Sequence, residues 1–286
     1  MRTNNIVLIH GLWMTPSSLE GWTDHFLERG FNVYAPPWPG MDRDIRALRR
    51  DPHSFAHSGI RPRIDIHEIV DSYERLVLEL DSPPIIVGHC LGGLVAQALV
   101  GRGLGSCGIA LAPVPPKGVW RMPWATLRVV APRLLARNGA GISLTPRQFH
   151  YAFMNASRRE ESDCAYQRYA VPADTHLLLQ AGFANCDPYA QTVDVRRHKR
   201  PPLLLVAGER DRFVTPSVVR ANHRLYRKSS AITEYREFAG RTHFLIGQEG
   251  WREIADHALE WARGQQLLHE RERRRIAREL QARRVA

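Results

Sequence analysis

The chain has 286 residues, 44% of them apolar, which is enough to bury a large core in one or two domains; one domain carrying an insertion fits best. The opening apolar run, Ile6 to Ile9, is too short for a signal peptide or a spanning helix, and no other run reaches membrane length, so no membrane partner is expected. The four cysteines, Cys90, Cys107, Cys164 and Cys186, have no C-x-x-C spacing for a zinc knuckle or a redox pair, which fits a reducing cytoplasm.

A formal net charge of +11 would suit nucleic acid or acidic lipid, but the charge is concentrated outside the apolar segments. One cluster runs from Arg43 to Arg63. The other is the tail from Arg263, where Arg271, Arg273, Arg274, Arg275, Arg278, Arg283 and Arg284 crowd together without interleaved aromatics for base stacking. Nucleic acid is therefore disfavoured, and the tail reads as a solvated or partner-facing helix. A homo-oligomer is left open.

In chain order, Ile6 to Ile9 has the continuous apolar character of a buried parallel strand and ends in His10-Gly11-Leu12-Trp13. Leu19, Trp22 and Phe26 form a helical stripe stopped by Gly30, and Phe31 to Ala35 is the next strand. Prolines end it, and the segment to Arg63 is irregular, with at most a short helix around Ile45 to Arg50. Asp65 to Leu80 repeats apolar residues at three- and four-residue steps, which predicts a helix with one buried face. Asp81-Ser82-Pro83-Pro84 stops it. The run Ile85-Ile86-Val87-Gly88-His89-Cys90-Leu91-Gly92-Gly93 then predicts a strand, a sharp turn and a helix, with a reactive thiol at the turn and glycines where side chains would collide.

Cys107 to Ala112 is a further buried strand. Between it and about Lys199 lies an aromatic-rich block carrying Trp120, Trp124, Phe149, Tyr151, Phe153, Tyr166, Tyr169 and Phe183, with helical stretches near 146–155 and 158–169. Most of these aromatics are expected to form the block's own small core. Leu203 to Ala207 is a strand followed by Gly208-Glu209-Arg210-Asp211, then a helix over about 216–226, a strand over 231–238 leading to Gly240-Arg241-Thr242-His243, and a helix over 250–261. The alternation predicts a doubly wound parallel α/β sheet of about six strands, whose ligands bind beyond the strands' carboxyl ends. Leu12, Cys90, Asp211 and His243 all fall at such ends.

The segments H-G-L, G-H-C-L-G, G-E-R-D and T-H, in that order, resemble the α/β-hydrolase superfamily, in which nucleophile, acid and histidine follow one another along the chain. The resemblance covers almost the whole chain except the basic tail, and the antiparallel hairpin that usually precedes the oxyanion-loop strand is missing. It implies a core of 1–112 and 200–262 and a helical lid of 113–199, which leaves 263–286 as a basic C-terminal helix or tail. By the same resemblance Cys90 is the nucleophile, His243 the base, Asp211 the acid in preference to Glu209, and the Leu12 and Leu91 amides form the oxyanion hole. Trp13 and His89 are assigned to the substrate pocket, His89 as a packing or hydrogen-bonding neighbour rather than a second base. No cofactor or metal is implied.

Cysteine stands where the superfamily normally carries serine. A helix N-terminus and an adjacent imidazolium both favour the thiolate, so attack is easy. Collapse is harder, because the thiolate leaves a tetrahedral adduct more readily than an alkoxide does, which favours substrates with good leaving groups: thioesters, enol esters or lactones, and aryl esters. The G-x-C-x-G-G turn is similar to that of dienelactone hydrolases and polyhydroxyalkanoate synthases, although neither similarity extends to the whole chain. The expected partner is a small-molecule acyl substrate, with a carrier-bound thioester as a further candidate. Three functions follow: an acyl-enzyme hydrolase (esterase, thioesterase or lactonase), an acyltransferase or cyclising thioesterase with the same triad, or a catalytically silent ligand-binding protein. Cys107, Cys164 and Cys186 have no base beside them in sequence and read as inert.

Overall fold

The computed structural model describes residues 3–51, 64–120, 128, 141–182 and 193–285, with side chains after Leu268 described only at Arg271 and Arg275. Six strands, β1 (Asn5–Ile9), β2 (Asn32–Tyr34), β3 (Ile85–His89), β4 (Cys107–Leu111), β5 (Leu203–Gly208) and β6 (Thr233–Phe238), form one sheet in the order β2-β1-β3-β4-β5-β6. Every pairing is parallel. All residues of β1, β3, β4 and β5 are buried, so both faces of the central sheet are covered, which explains their unbroken apolar runs. The edge strand β6 instead alternates between partly buried and exposed residues until Phe238.

The helices are α1 (Glu20–Leu27), α2 (Ile45–Arg50), α3 (Ile66–Glu79), α4 (Leu91–Gly101), α5 (Pro146–Phe153), α6 (Arg159–Tyr169), α7 (Thr175–Gly182), α8 (Pro216–Leu225) and α9 (Trp251–Val285). Helix α4 is buried along its whole length and packs against β3 and β4, with α3 beside it. Helix α3 starts at a capping box: the Asp65 carboxylate accepts from the Glu68 amide at 2.8 Å, and Glu68 accepts from the Asp65 amide at 3.1 Å. Thr145 and Gln148 build the same device at the start of α5, with Pro146 in the first turn, where its missing N–H costs nothing. These local signals start both helices where the sequence predicts them.

Three expectations change. The final helix does not stop near Trp261 but runs unbroken to Val285, so the basic tail continues the last helix of the core. The loss of apolar periodicity ended the sequence-based helix; good helix formers such as Arg, Glu, Gln, Ala and Leu carry it on. Helix α7 was not foreseen. The aromatics between β4 and β5 do not simply pack on one another: Phe153 stacks on Phe149 at 5.0 Å and also reaches Phe213 and His243, while Trp120 is exposed. Trp124, Phe183 and Cys186 lie outside the described residues, as does the charged stretch 52–63. No described helix is long and apolar enough to cross a membrane.

Two glycines give opposite expectations. At Gly92 a Cβ would lie 2.2 Å from the Ile9 carbonyl oxygen, a backbone atom that cannot yield. At Gly264, inside α9, a Cβ would meet nothing within 4 Å. We expect Gly264→Ala to stabilise the fold by about 0.5–1 kcal/mol through helix propensity, and Gly92→Ala to destabilise it by roughly 3 kcal/mol or more. Urea denaturation monitored by circular dichroism reads both.

Candidate active site

The site begins at the turn between β3 and α4. Cys90 sits at φ 55°, ψ −116°, a backbone conformation that side-chain-bearing residues rarely adopt. Its own backbone holds it there. The Cys90 amide donates to the Leu111 carbonyl at 3.0 Å, and its carbonyl accepts from Gly93 at 3.0 Å, Leu94 at 3.3 Å and Val114 at 3.0 Å. The side chain is fully buried at the N-terminus of α4. The loop after β1 crosses directly beside it: a Cβ on Gly11 would lie 2.8 Å from the Cys90 Cβ. Only glycine lets the H-G-L segment approach that closely.

Leu12 directly follows the glycine that approaches the thiol, and Leu91 directly follows the thiol itself. Leu91 begins α4, where the first amides have no intrahelical acceptor. Among the described residues, no backbone or side-chain acceptor takes up either the Leu12 or the Leu91 N–H. Amides without an acceptor are the kind of donor that can stabilise a developing oxyanion.

His243 and Asp211 come from the loops after β6 and β5. His243 Nδ1 lies 2.8 Å from Asp211 Oδ2, with both side chains fully buried. The other carboxylate oxygen of Asp211 accepts from the Phe213 amide at 2.7 Å and the Val214 amide at 2.8 Å, so the acid's orientation is fixed by its own loop. Burial works against a charge on His243, but the Asp211 carboxylate and Cys90 outweigh it and raise the imidazole to about 10. Cys90 thus acts on the His243 charge, yet no hydrogen bond of ordinary geometry joins them, and Nε2 stays unpaired among the described residues. Rings enclose the imidazole: Phe153 at 4.8 Å, Phe213 at 5.0 Å and His89 at 5.0 Å.

Each residue singled out in the sequence has a definite place. Cys90, His243 and Asp211 converge, with Leu12 and Leu91 beside them. Glu209 is elsewhere, its carboxylate accepting from the Gly240 amide at 2.8 Å. His89, assigned to the substrate pocket, is fully enclosed, and its Nε2 lies 2.9 Å from the His243 carbonyl oxygen, so it braces the histidine loop from behind. Trp13 is also enclosed, and its indole N–H donates to the Ile142 carbonyl at 2.9 Å. Beside it, Leu12, Trp13, Trp38, Met41 and Leu177 help line a small apolar cavity of about 20 Å³, room for about one water molecule. Sequence reasoning did not single out Phe153 and Phe213 as neighbours of His243; Phe213, two residues past Asp211, carried the only signal. Cys107 is buried within β4 and its thiol is pushed up to about 12 by desolvation, while Cys164 is exposed on α6.

A profile of the alpha/beta hydrolase family matches residues 6–257. No curated protein matches the chain. Among solved structures it is similar to a monoacylglycerol lipase from Paleococcus ferrophilus, with 20% identity over 91% of this chain and 94% of that one and a TM-score of 0.63. It is also similar to a thermophilic esterase from Thermogutta terrifontis (17% identity, 91% and 90% coverage, TM-score 0.63) and to tomato methylketone synthase I (13% identity, 92% and 99% coverage, TM-score 0.62). At these identities the likeness is one of fold.

The buried histidines set a stability optimum. Burial lowers His10 to about 4 and His89 to about 3, below the unfolded value near 6.5, so their contribution is complete above pH 6.5 and is lost as pH falls toward 4. His243 is raised, so its contribution is complete below pH 6.5 and is lost as pH rises through about 10. Urea midpoints measured from pH 4 to 10 should peak near pH 6.5, each histidine adding a slope of up to about 1.4 kcal/mol per pH unit on its limb. His89→Gln should make the acid limb shallower; an unaltered slope would mean that His89 is not held neutral.

Proposed function

The chain belongs to the alpha/beta hydrolase family, and from that premise we propose that it is an acyl-enzyme hydrolase acting on an activated ester, lactone or thioester through Cys90, His243 and Asp211. The observation that carries this reading is the thiol at a φ 55° turn beside a fully buried histidine whose Nδ1 is bonded to a carboxylate. With the thiol proton already held on His243, the sulfur attacks the acyl carbon while the carbonyl π pair moves to oxygen, facing the Leu12 and Leu91 amides. The adduct collapses by breaking the bond to the leaving group, which departs with the proton from His243 and leaves a thioester on Cys90. His243, neutral again, removes a proton from water as it attacks that thioester; the product acid is released and the thiolate is restored with the proton on His243. Asp211 keeps Nδ1 protonated and steadies the imidazolium in both halves. The segment between β4 and β5 acts as a lid over this centre.

Sulfur narrows the substrates, since its adducts revert unless the other group leaves easily. Esterases and lipases among the structural relatives support ester chemistry in general terms. A second reading, acyl transfer to an amine, alcohol or thiol, draws on the complete enclosure of Cys90 and His243, which keeps bulk water from the acyl-enzyme.

A panel of p-nitrophenyl esters, lactones and small thioesters tests the proposal. Intact mass should show a transient acyl adduct on the wild-type chain and none on Cys90→Ala, whose turnover should fall at least about 10³-fold. Equal rates for the two proteins would remove Cys90 from the mechanism. Adding amine acceptors to the preformed adduct separates the readings: partition to amide at millimolar acceptor favours transfer, and acid alone favours hydrolysis.

A further inference from the structure

Trp13 occupies a conformation it should avoid. Its φ is 62°, in the left-handed region, which costs a bulky residue roughly 1–2 kcal/mol. Yet it is 1% exposed and held from several directions. Its carbonyl accepts from the Val171 amide at 2.9 Å, and its indole N–H donates to the Ile142 carbonyl at 2.9 Å. Ile142 is fixed in turn: it pairs with Ala173 in an antiparallel bridge, with bonds of 2.7 and 2.9 Å in the two directions. The indole meets Phe153 edge-on at 6.0 Å and Phe213 at 5.7 Å, the same two rings that flank His243.

Every one of these holds except Phe213 belongs to the segment between β4 and β5. The strained residue lies on the β1 loop, immediately after Leu12. A strained backbone persists only where its surroundings over-determine it, and here the surroundings belong to a different part of the chain.

We propose that Trp13 is a positioning residue that couples the β4–β5 segment to the Leu12 amide: the loop keeps its oxyanion-binding geometry only while the strips around Ile142 and Val171 are seated on it. This rests on the reading of Leu12 as an oxyanion donor. When those strips lift, Trp13 loses both bonds and its backbone relaxes out of the left-handed region, turning the Leu12 N–H away. Neither the thiol nor the His243–Asp211 pair takes part in those two bonds. Acyl chemistry therefore depends on the seated strips, while attack by the thiol on a reagent that forms no oxyanion does not.

The difference between those two chemistries is the test. Trp13→Phe keeps an aromatic ring and removes the N–H to Ile142. Acylation of Cys90 by a p-nitrophenyl ester or an N-acetylcysteamine thioester needs the oxyanion hole; alkylation by iodoacetamide does not. Loss of one oxyanion donor costs about 10²–10³ in rate, so partial misplacement should slow acylation roughly 10- to 100-fold at saturation, with KM changed less than threefold and alkylation no slower than in the wild type, because a buried thiol is reached by the reagent as its cover opens. Equal slowing of acylation and alkylation would show a merely structural role, and unchanged acylation would show no coupling; either overturns the proposal. Amide hydrogen exchange reads the coupling without catalysis: the Leu12 amide and the Ile142 and Ala173 amides should exchange faster together in the variant, by tenfold or more. Faster exchange confined to one of the two segments overturns it. If wild-type Cys90 alkylates but never acylates, the acyl-enzyme reading falls, and the exchange result alone decides the coupling. Should Trp13→Phe fail to fold, Ala173→Pro, which removes the bridge N–H behind Ile142, should give the same split between acylation and alkylation.

Discussion

The junction of β3 with α4 is so tight that a Cβ on Gly88 would lie 2.0 Å from the Gly92 carbonyl oxygen. A helix that starts this abruptly leaves the residue just before it no relaxed conformation, and Cys90 takes the strain at φ 55°. Three backbone bonds to its carbonyl and one from its amide enforce the position. The other non-glycine residues with positive φ among the described residues are Trp13 at 62°, after β1, and Ala112 at 43°, after β4. In the sheet order these strands flank β3 on either side. Strain of about 1–3 kcal/mol per residue is thus concentrated at the carboxyl ends of three adjacent strands, where the thiol and its neighbouring amides meet. The buried sheet beneath supplies the rigidity that sustains it.

The same packing sorts the charges. Three histidines, His10, His89 and His243, are fully or almost fully buried within this region, and burial alone would keep all of them neutral. His243 escapes because a carboxylate lies 2.8 Å from its Nδ1. His89, with its ring 5.0 Å away, is lowered by burial first and by the proximity of His243 second. One proton-holding ring next to a neutral one is a stable combination: His89 can donate its Nε2–H to the His243 carbonyl without adding a second positive charge. The positive charge is localised on the ring beside the sulfur.

Much of this was legible in the sequence because it is written in short-range rules. The continuous apolar runs Ile6–Ile9 and Leu203–Ala207 read as buried parallel strands, and the three- and four-residue apolar steps from Asp65 to Leu80 read as α3. The glycines around Cys90 announced the turn, and the strand-end positions of Asp211 and His243 followed from topology. Contacts between distant segments had no such signature. Nothing about Phe153 says that it will stand 4.8 Å from a histidine ninety residues later, and the lone indole N–H of Trp13 could have met any carbonyl. The extent of α9 was hidden for a different reason: its second half is dominated by charged residues with only sparse apolar positions such as Ile276 and Leu280, so the periodicity that locates a buried helix fades while the propensity to remain helical persists.

What the backbone leaves undetermined is the identity of the reacting atom. The tight turn, the free amides and the histidine loop make no demand that distinguishes a thiol from a hydroxyl, since both fit at a fully buried position one atom beyond Cβ. The consequence is chemical rather than architectural. A hydroxyl needs the histidine to remove its proton during attack, whereas a thiol beside an imidazole already biased toward its charged form by a carboxylate needs less help going in and more help in expelling the competing group. Under the proposed mechanism the proton on His243 is therefore of greatest use on the leaving group, and the Phe153 and Phe213 rings that flank the imidazole bear most directly on the collapse step. Architecture places this chain among alpha/beta hydrolases; under the proposed mechanism, the sulfur decides which of their substrates it can finish with.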